Sequence, residues 1–509
     1  METLSYLATG FGVALNPTNL LLAALGSVIG TMVGVLPGLG PINAVAMLVP
    51  VVFALGLPPE SSLILMAAIY IGSEYGGRIS AILLNVPGEA SAVMTALEGY
   101  PLAREGRAGI ALSLSAWTSF VGSAIATIGI VIAAPLLAKW ALAFGPTEYV
   151  GLMVFAFACL TGLLTDSPVK ALLAIMIGLG ISTIGIDANS GVYRYTFGSP
   201  NLVDGVQFAT VVIGLFAISE LLIMLEGIRG GAASRIEQMG KPLFSWADLT
   251  FTNMATLRGS IIGFLVGILP GAGGTVASAL AYTTEKRVVE RRGTADSRFG
   301  RGDLRGLASV EAANNSASNS NFIPMLTLGI PSSGTTAVML GVLTLYNLTP
   351  GPALFNSQPT LVWGLIASLF IGNVILLAIN IPLVGIFARL LSVPAWFLVP
   401  FIVVVSAIGV YSGKSTTFDL VLMVALGVGA YLLRRQGVPM APLILGLVLG
   451  KILEQNLRRS LSLSGGDITV LWWSPISVTL WTLAIVVLLV PLIVPRIARR
   501  RNANAIEAD

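Results

Sequence analysis

The chain has 509 residues, 55% of them hydrophobic and 10% charged, with a net charge of +4 and a mean hydropathy of +0.89. Ordinary soluble domains carry roughly 25% charged residues, so the composition sets aside a large soluble globule and fits an all-α polytopic membrane protein. Histidine is absent and cysteine occurs once. That removes the commonest general base and the usual proton shuttle near neutral pH, and supports neither a disulfide framework nor a cysteine metal site.

The first segment, METLSYLATGFGVALNP, lacks the basic region and cleavage site of a signal peptide and reads as a short interfacial helix. An apolar run follows and is broken by GVLPGLGP at 34–41. The loop FALGLPPESS carries no basic residue. Next, IGSEYGGRIS places Glu74 and Arg78 four apart on one helix face, either as a structural ion pair or with Arg78 awaiting an anion. A second break, NVPGEASAVM, spans 85–94, and YPLAREGRAG (100–109) is a loop carrying Arg104 and Arg107. Ala116–Leu137 and Val206–Leu225 are each long and apolar enough to cross a hydrocarbon core of about 30 Å. Between them lie ALAFGPTE, acidic apart from the preceding Lys139, the buried-type Cys159 in VFAFACLTGLL, and the polar loop DANSGVYRYTFGSPNLVDG.

The second part opens with a basic region, 229–258, and then Leu257–Leu269, an apolar arm of 13 residues. As helix that is about 20 Å, past the bilayer centre but short of a full span. GILPGAGG (267–274) turns the chain and Thr275–Thr283 returns it, which predicts a re-entrant hairpin. The longest hydrophilic segment, 284–305, is a basic loop. A polar tract, SVEAANNSASNSN, precedes a further break, GIPSSG. Leu361–Phe387 and Pro475–Val494 are apolar spans, Arg389 and Arg434–Arg435 mark basic loops, and 496–509 is a basic tail. KILEQNLRRS resists the pattern, because it puts Arg458 and Arg459 on the expected outer side.

The two halves match in order. Pro37 and Pro270 are 233 residues apart, and the same offset places Gly26, Gly30, Gly34 and Gly38 on Gly259, Gly263, Gly267 and Gly271. Pro87 and Pro331 are 244 apart, and SFVGS (119–123) parallels LFIGN (369–373) at 250. An offset that grows slowly is what loop insertions produce, so the chain reads as two repeats, 1–228 and 229–495, followed by the tail. Loops rich in Lys and Arg stay cytoplasmic. Basic loops of one half correspond to non-basic loops of the other, which predicts inverted topology, re-entrant hairpins and about 10–12 membrane segments.

Non-helical backbone at membrane depth is tolerated where it lines a cavity or is buried in protein. Glycine permits the turn and close approach of a ligand, and proline ends the helix. A helix start exposes N–H groups suited to a carboxylate, and a helix end exposes carbonyls suited to Na⁺. The expected hairpin-tip or ion-binding residues are therefore Gly34, Pro37, Gly38, Gly40 and Asn43 in the first half, and Gly267, Pro270, Gly271, Gly273, Gly274 and Thr275 in the second. Around the other breaks, the expected substrate contacts are Arg78, Asn85, Pro87, Gly88, Ser91, Asn314, Asn315, Asn319, Pro331, Ser332, Ser333 and Thr335. Helix–helix hydrogen bonding is the competing role for the Asn/Ser tract.

GVLPGLGP, ILLNVPGEAS with ALEGYPLAREG, GFLVGILPGAGGTVAS, and AANNSASNSNFIPMLTLGIPSSGTTAVML together resemble the large membrane subunit of the tripartite tricarboxylate transporters. The resemblance runs over about residues 10–495; Ser332 departs from a glycine common at that place. It implies a secondary-active symporter in a bacterial inner membrane, working with a small four-helix membrane subunit and a periplasmic solute-binding protein. The implied substrate is a carboxylate, whether tricarboxylate, dicarboxylate or aromatic acid, and the implied coupling ion is Na⁺; no other cofactor is expected. An anion channel or a non-tripartite organic-anion transporter is the alternative, and an enzyme is not expected.

Overall fold

A computed structural model describes residues 2–36, 38–163, 167–187, 189–228, 243–291, 298–390 and 395–489. Pro37, most of the junction between the expected repeats (229–242) and the basic tail (496–509) lie outside them. In chain order the helices are α1 Glu2–Ala14, α2 Pro17–Val35, α3 Gly40–Ala54, α4 Pro59–Leu84, α5 Ala92–Leu102, α6 Ala108–Ala141, α7 Pro146–Leu163 and α8 Pro168–Ser182. A two-residue ladder pairs β1 Gly185–Ile186 with β2 Tyr193–Arg194, antiparallel. Then come α9 Phe208–Val212, α10 Ser219–Ile228, α11 Trp246–Gly267, α12 Gly273–Arg291, α13 Leu304–Ser320, α14 Phe322–Thr327, α15 Gly334–Leu345 and α16 Leu354–Ser357. The last are α17 Pro359–Asn380, α18 Val384–Leu390, α19 Ala395–Lys414, α20 Thr417–Arg435, α21 Met440–Leu463 and α22 Pro475–Leu489. Among the described residues the regular structure is thus helical apart from that one short ladder.

Among the described residues, seven helical segments are long and apolar enough to cross a membrane: Pro17–Val35, Ala92–Ala141, Phe208–Glu226, Trp246–Gly267, Pro359–Asn380, Thr417–Arg435 and Met440–Leu463. Six shorter apolar helices accompany them. The expected 13-residue arm before PGAGG is corrected by α11, which starts at Trp246 and has 22 residues. At 1.5 Å per residue it is about 33 Å long, so its length no longer argues for a re-entrant arm. The earlier start is set by Ser245, whose hydroxyl accepts from the Asp248 N–H while the Asp248 carboxylate accepts from the Ser245 N–H. This capping box satisfies two otherwise orphaned amides. Two expected loops are also corrected. Residues 284–291 complete α12, held by the Arg258–Glu285 ion pair at 2.7 Å. Residues 100–109 stay helical, passing through a π-turn at Ala103–Arg107 that kinks at Gly106 (φ 75°).

The chain packs as two units. The larger comprises Met1–Lys139, Gln207–Leu269 and Gly273–Leu432. Its centre is α4 and α13. Every residue of α4 from Ser61 to Leu83 is buried, as is every residue of α13 apart from Arg305. Neither is among the seven spans: α13 is polar and only 17 residues long, and α4 carries Glu74 and Arg78 amid its apolar residues. Glycine seams bring their partners close. A Cβ on Gly26, Gly30 or Gly34 of α2 would fall 2.7, 2.3 or 2.1 Å from the carbonyl oxygens of Leu65, Ile69 and Ser73 on α4. A Cβ on Gly259, Gly263 or Gly267 of α11 would fall 2.3, 2.2 or 2.5 Å from those of Ser309, Ala313 and Ala317 on α13. Along both seams backbone packs closely on backbone, as small residues allow between membrane helices.

The smaller unit comprises Trp140–Val206, Pro270–Ala272 and Leu433–Asp509. In it α21 packs on α8, with Gly178 and Gly446 at the crossing. It also accounts for the arginine that resisted the charge pattern. Arg458 pairs with Asp187 and Glu454 at 2.7 and 2.6 Å, and Arg194 pairs with the same two acids at 3.4 and 2.6 Å. These four line an open polar cleft of about 240 Å³. Arg458, with two further hydrogen bonds, holds the Asp187 carboxyl well below the usual carboxylate range. Arg458 is therefore committed to a local ion network.

Candidate functional site

The primary breaks have the same backbone form. Gly38 and Gly40 sit at φ 84° and 54°, and their counterparts Gly271 and Gly273 at 76° and 54°. A side chain is strained in this left-handed region, so glycine suits all four places. In the first break the Asn43 amide donates to the Gly38 carbonyl at 3.3 Å, while Asn43 Oδ1 has no hydrogen-bond partner. Gly34 and Gly267 belong to helices, where they close the seams rather than form the tips. Pro270 is buried and Thr275 exposed.

The second breaks supply the polar groups. After α4, Asn85 caps the helix in a left-handed conformation (φ 56°) and is exposed, as is Val86. The chain past Pro87 then folds back. A Cβ on Gly88 would lie 2.5 Å from the Gly34 carbonyl and 2.9 Å from Gly77 Cα, and one on Gly77 would lie 3.3 Å from Glu89 Cγ. These small residues let Glu89 press against the middle of α4. Ser91 is buried nearby. The expected helix start directly after Pro87 is corrected, because α5 begins at Ala92. In the other half, Pro331, Ser332 and Thr335 are buried, and the Ser332 hydroxyl has no partner. Ser333 is committed locally: it caps α15 by accepting from the Thr336 N–H, and its own N–H donates to Thr336 Oγ1 at 3.0 Å. That cap occupies two of the N–H groups expected to face an anion.

Helical spacing sorts the Asn/Ser tract. Asn315 and Asn319, four apart, face α6, donating to Ser119 Oγ at 2.8 Å and Ser123 Oγ at 3.0 Å. Ser316 donates to the Ser260 carbonyl of α11 at 2.7 Å. Asn314 points elsewhere. Its Nδ2 donates to Glu74 Oε2 at 2.9 Å and to Glu89 Oε1 at 3.3 Å, and a Cβ on Gly274 would lie 2.2 Å from its Oδ1. Glu74 does not pair with Arg78 within ion-pair distance; each turns to its own partners. Arg78 is 1% exposed, lies over the Tyr75 ring at 4.6 Å, and donates from Nη2 to Asn380 Oδ1 at 3.3 Å. Its Nε and Nη1 have no hydrogen-bond partner. One more carboxylate, Glu311, accepts from Thr95 Oγ1 at 2.5 Å and Ser119 Oγ at 3.0 Å.

Gly77, Gly88, Ser91, Asn314 and Gly274 therefore gather around Glu74 and Glu89, whereas Arg78 makes its own contacts with Tyr75 and Asn380, and Glu311 with Thr95 and Ser119. Glu89 and Glu311 stand inside motifs that composition marks as unusual, NVPGEAS and SVEAANN. A charged residue in an otherwise apolar stretch is itself the signal that finds them.

Residues 20–445 match the family described as "Tripartite tricarboxylate transporter TctA family". The chain is 40% identical over 511 residues, covering the whole of both chains, to an "Uncharacterized 52.8 kDa protein in TAR-I ttuC' 3'region" of Agrobacterium vitis. It is 41% identical over 247 residues, 48% of this chain and all of the other, to an "Uncharacterized protein in TAR-II ttuC' 3'region" of the same organism. No solved structure matches. With the match covering most of its length and seven apolar helices to cross a membrane, the chain belongs to the TctA family, as the large membrane subunit of a tripartite tricarboxylate transporter and not an enzyme.

Proposed function

We propose that this subunit is the translocation pathway of a secondary-active symporter that imports a carboxylate across a bacterial inner membrane. A tricarboxylate, dicarboxylate or aromatic acid arrives on a periplasmic binding protein, a small four-helix subunit completes the membrane complex, and Na⁺ drives transport. One observation carries the carboxylate reading: Arg78 is almost fully buried and two of its three guanidinium nitrogens lack a partner. Leaving a buried donor unpaired is costly, and a cation with unspent donors at membrane depth marks an anion site. The substrate carboxylate takes those donors. In this reading the breaks at Asn85–Ser91 and Pro331–Thr335 complete the site, with Ser332 offering a buried hydroxyl that has no hydrogen-bond partner.

Inverted repeats joined by broken hairpins are part of this proposal. Three observations support them. The seam glycines repeat at 233 residues, the carbonyls they contact repeat at 244, and the paired glycines at each tip share left-handed φ values.

The test is substrate uptake into proteoliposomes holding the complete transporter, with Arg78→Met and Arg78→Lys. A charged hydrogen bond contributes about 1.5–3 kcal/mol. Arg78→Met is thus expected to weaken substrate affinity by roughly 10- to 100-fold, and Arg78→Lys by less. Uptake by Arg78→Met within about twofold of wild type, at equal protein level, would exclude Arg78 as the anion contact.

A further inference from the structure

Asn373 and Asn380 interrupt the apolar sequence of α17, and both are buried. They lie seven residues apart, about two helical turns, and so share one face of the helix. Buried polar side chains in a span are expensive and mark function, and the competing role is hydrogen bonding between helices. The direction of the bonds decides between the two. The Thr31 hydroxyl donates to the Ser27 carbonyl at 2.7 Å, which commits its only hydrogen. Towards Asn380 it can therefore only accept, and Asn380 Nδ2 donates to it at 3.4 Å. That turns Asn380 Oδ1 the other way, where it accepts from Arg78 Nη2 at 3.3 Å. Asn373 is oriented by the same logic. Its Nδ2 donates to the Phe120 carbonyl at 2.9 Å, which leaves Oδ1 to accept from the Tyr75 hydroxyl at 3.1 Å. The Tyr75 ring in turn lies against the Arg78 guanidinium, 4.6 Å from it. Both asparagines thus lead to the one buried cation that still has Nε and Nη1 without a hydrogen-bond partner.

We propose that Asn380 and Asn373 are positioning residues for Arg78: through Nη2 and through the Tyr75 ring they hold the guanidinium so that Nε and Nη1 face the substrate carboxylate. A ring against the guanidinium limits its tilt, and a hydrogen bond at Nη2 limits its rotation. Freedom removed before binding is not lost on binding, and this preorganisation raises affinity. Because both constraints come from one face of one helix, they keep their spacing. The proposal rests on the reading of Arg78 as the anion contact and adds the residues that set its geometry. Neither asparagine touches the substrate in this scheme, so each acts only through Arg78.

The experiment is uptake of radioactive citrate, succinate or benzoate, whichever the wild-type complex imports fastest, into proteoliposomes holding the complete transporter at equal protein level. Asn380→Ala is expected to raise KM about 3- to 10-fold and to leave Vmax within about twofold. Tyr75→Phe keeps the ring but loses the tie to Asn373, and should raise KM about threefold. Both changes are then repeated in an Arg78→Lys background. An ammonium has no planar fork to orient, so each should now alter KM by less than about twofold, whereas a purely structural effect would carry over undiminished. Thermal melts identify any variant that has unfolded, and if Asn380→Ala has, the near-isosteric Tyr75→Phe carries the test. KM within about twofold of wild type for both single variants overturns the proposal, and so does an equal rise in the Arg78→Lys background. Arg78→Met separates the two levels. If it transports with wild-type KM, the reading of Arg78 as the anion contact fails and takes this proposal with it. If it is impaired while Asn380→Ala and Tyr75→Phe are not, the positioning role alone fails.

Discussion

Gly30→Ala and Gly263→Ala test the packing that holds the two central helices in place. At Gly30 the new methyl would start 2.3 Å from the Ile69 carbonyl oxygen, and at Gly263 2.2 Å from that of Ala313. A carbon needs about 3.3 Å from such an oxygen, so each seam must open by about 1 Å. The obstacle is backbone, which cannot rotate away as a side chain can. Overpacking typically costs about 1–3 kcal/mol, and a backbone obstacle puts both variants near the upper figure. Gly372→Ala is the control, since a Cβ there meets nothing within 4 Å; in a helix interior it is expected to be neutral or to stabilise by about 0.5–1 kcal/mol. The assay is the thermal midpoint of purified protein in one detergent. Gly30→Ala and Gly263→Ala should fall by about 2–3 °C, to similar extents, while Gly372→Ala holds. If all three melt together, the seams are loose and the close approach does not position the site. If Gly30→Ala and Gly263→Ala differ widely, the equivalence of the two halves fails.

Asn319→Ala removes bonds to Ser123 Oγ and the Asn315 carbonyl and should cost about 1–3 kcal/mol of stability; weakened substrate affinity at an unchanged melting point would instead move Asn319 into the binding site. Asp187 has a depressed carboxyl, so the unfolded chain binds its proton first, and the stability it adds is complete above about pH 4, the unfolded value. The melting-point gap between wild type and Asp187→Asn should therefore be constant from pH 7 to 5 and close as the pH falls below 4 towards the folded value; a gap that does not change with acid would show that Arg458 does not hold Asp187. Cysteines at Leu55 and Arg301, both exposed, should react with an impermeant thiol reagent from opposite sides of the membrane in a Cys159→Ser background. Labelling from one side would remove the inverted topology.

Much of this was legible because the signals are local. The glycines of α2 and α11 recur every four residues, which places them on one face of a helix, and their ordered offset needs no knowledge of what they touch. The helical spacing of Asn315 and Asn319 likewise puts both on one side of α13, facing away from Asn314. The start of α11 was legible too, in the Ser245–Asp248 cap, but the polar residues of WADLTFTNMA hid it behind the apolar run. What was not legible is pairing across the chain. Glu89 meets Asn314 across 225 positions and Arg458 meets Asp187 across 271. Hydrophobic periodicity says which face is buried and nothing about which distant side chain completes it. The Glu74–Arg78 spacing left an ion pair open for the same reason, since it could not show that Glu74 meets Asn314 on α13 and Arg78 meets Asn380 on α17.

Glu98, on α5, accepts from the N–H groups of Gly300, Gly302 and Asp303 at 2.6, 2.9 and 2.8 Å, and from the Tyr282 hydroxyl at 2.8 Å. All four donors come from the second half of the chain, the last of them 205 residues later. At about 5–20 residues per second of synthesis, this carboxylate waits roughly 10–40 seconds for the groups that satisfy it, and Glu74 waits longer for Asn314. The first half therefore enters the membrane carrying acids whose partners do not yet exist. Assembly has a built-in delay, and the nascent first half depends on water, lipid headgroups or the insertion machinery to shelter those charges until the second half arrives.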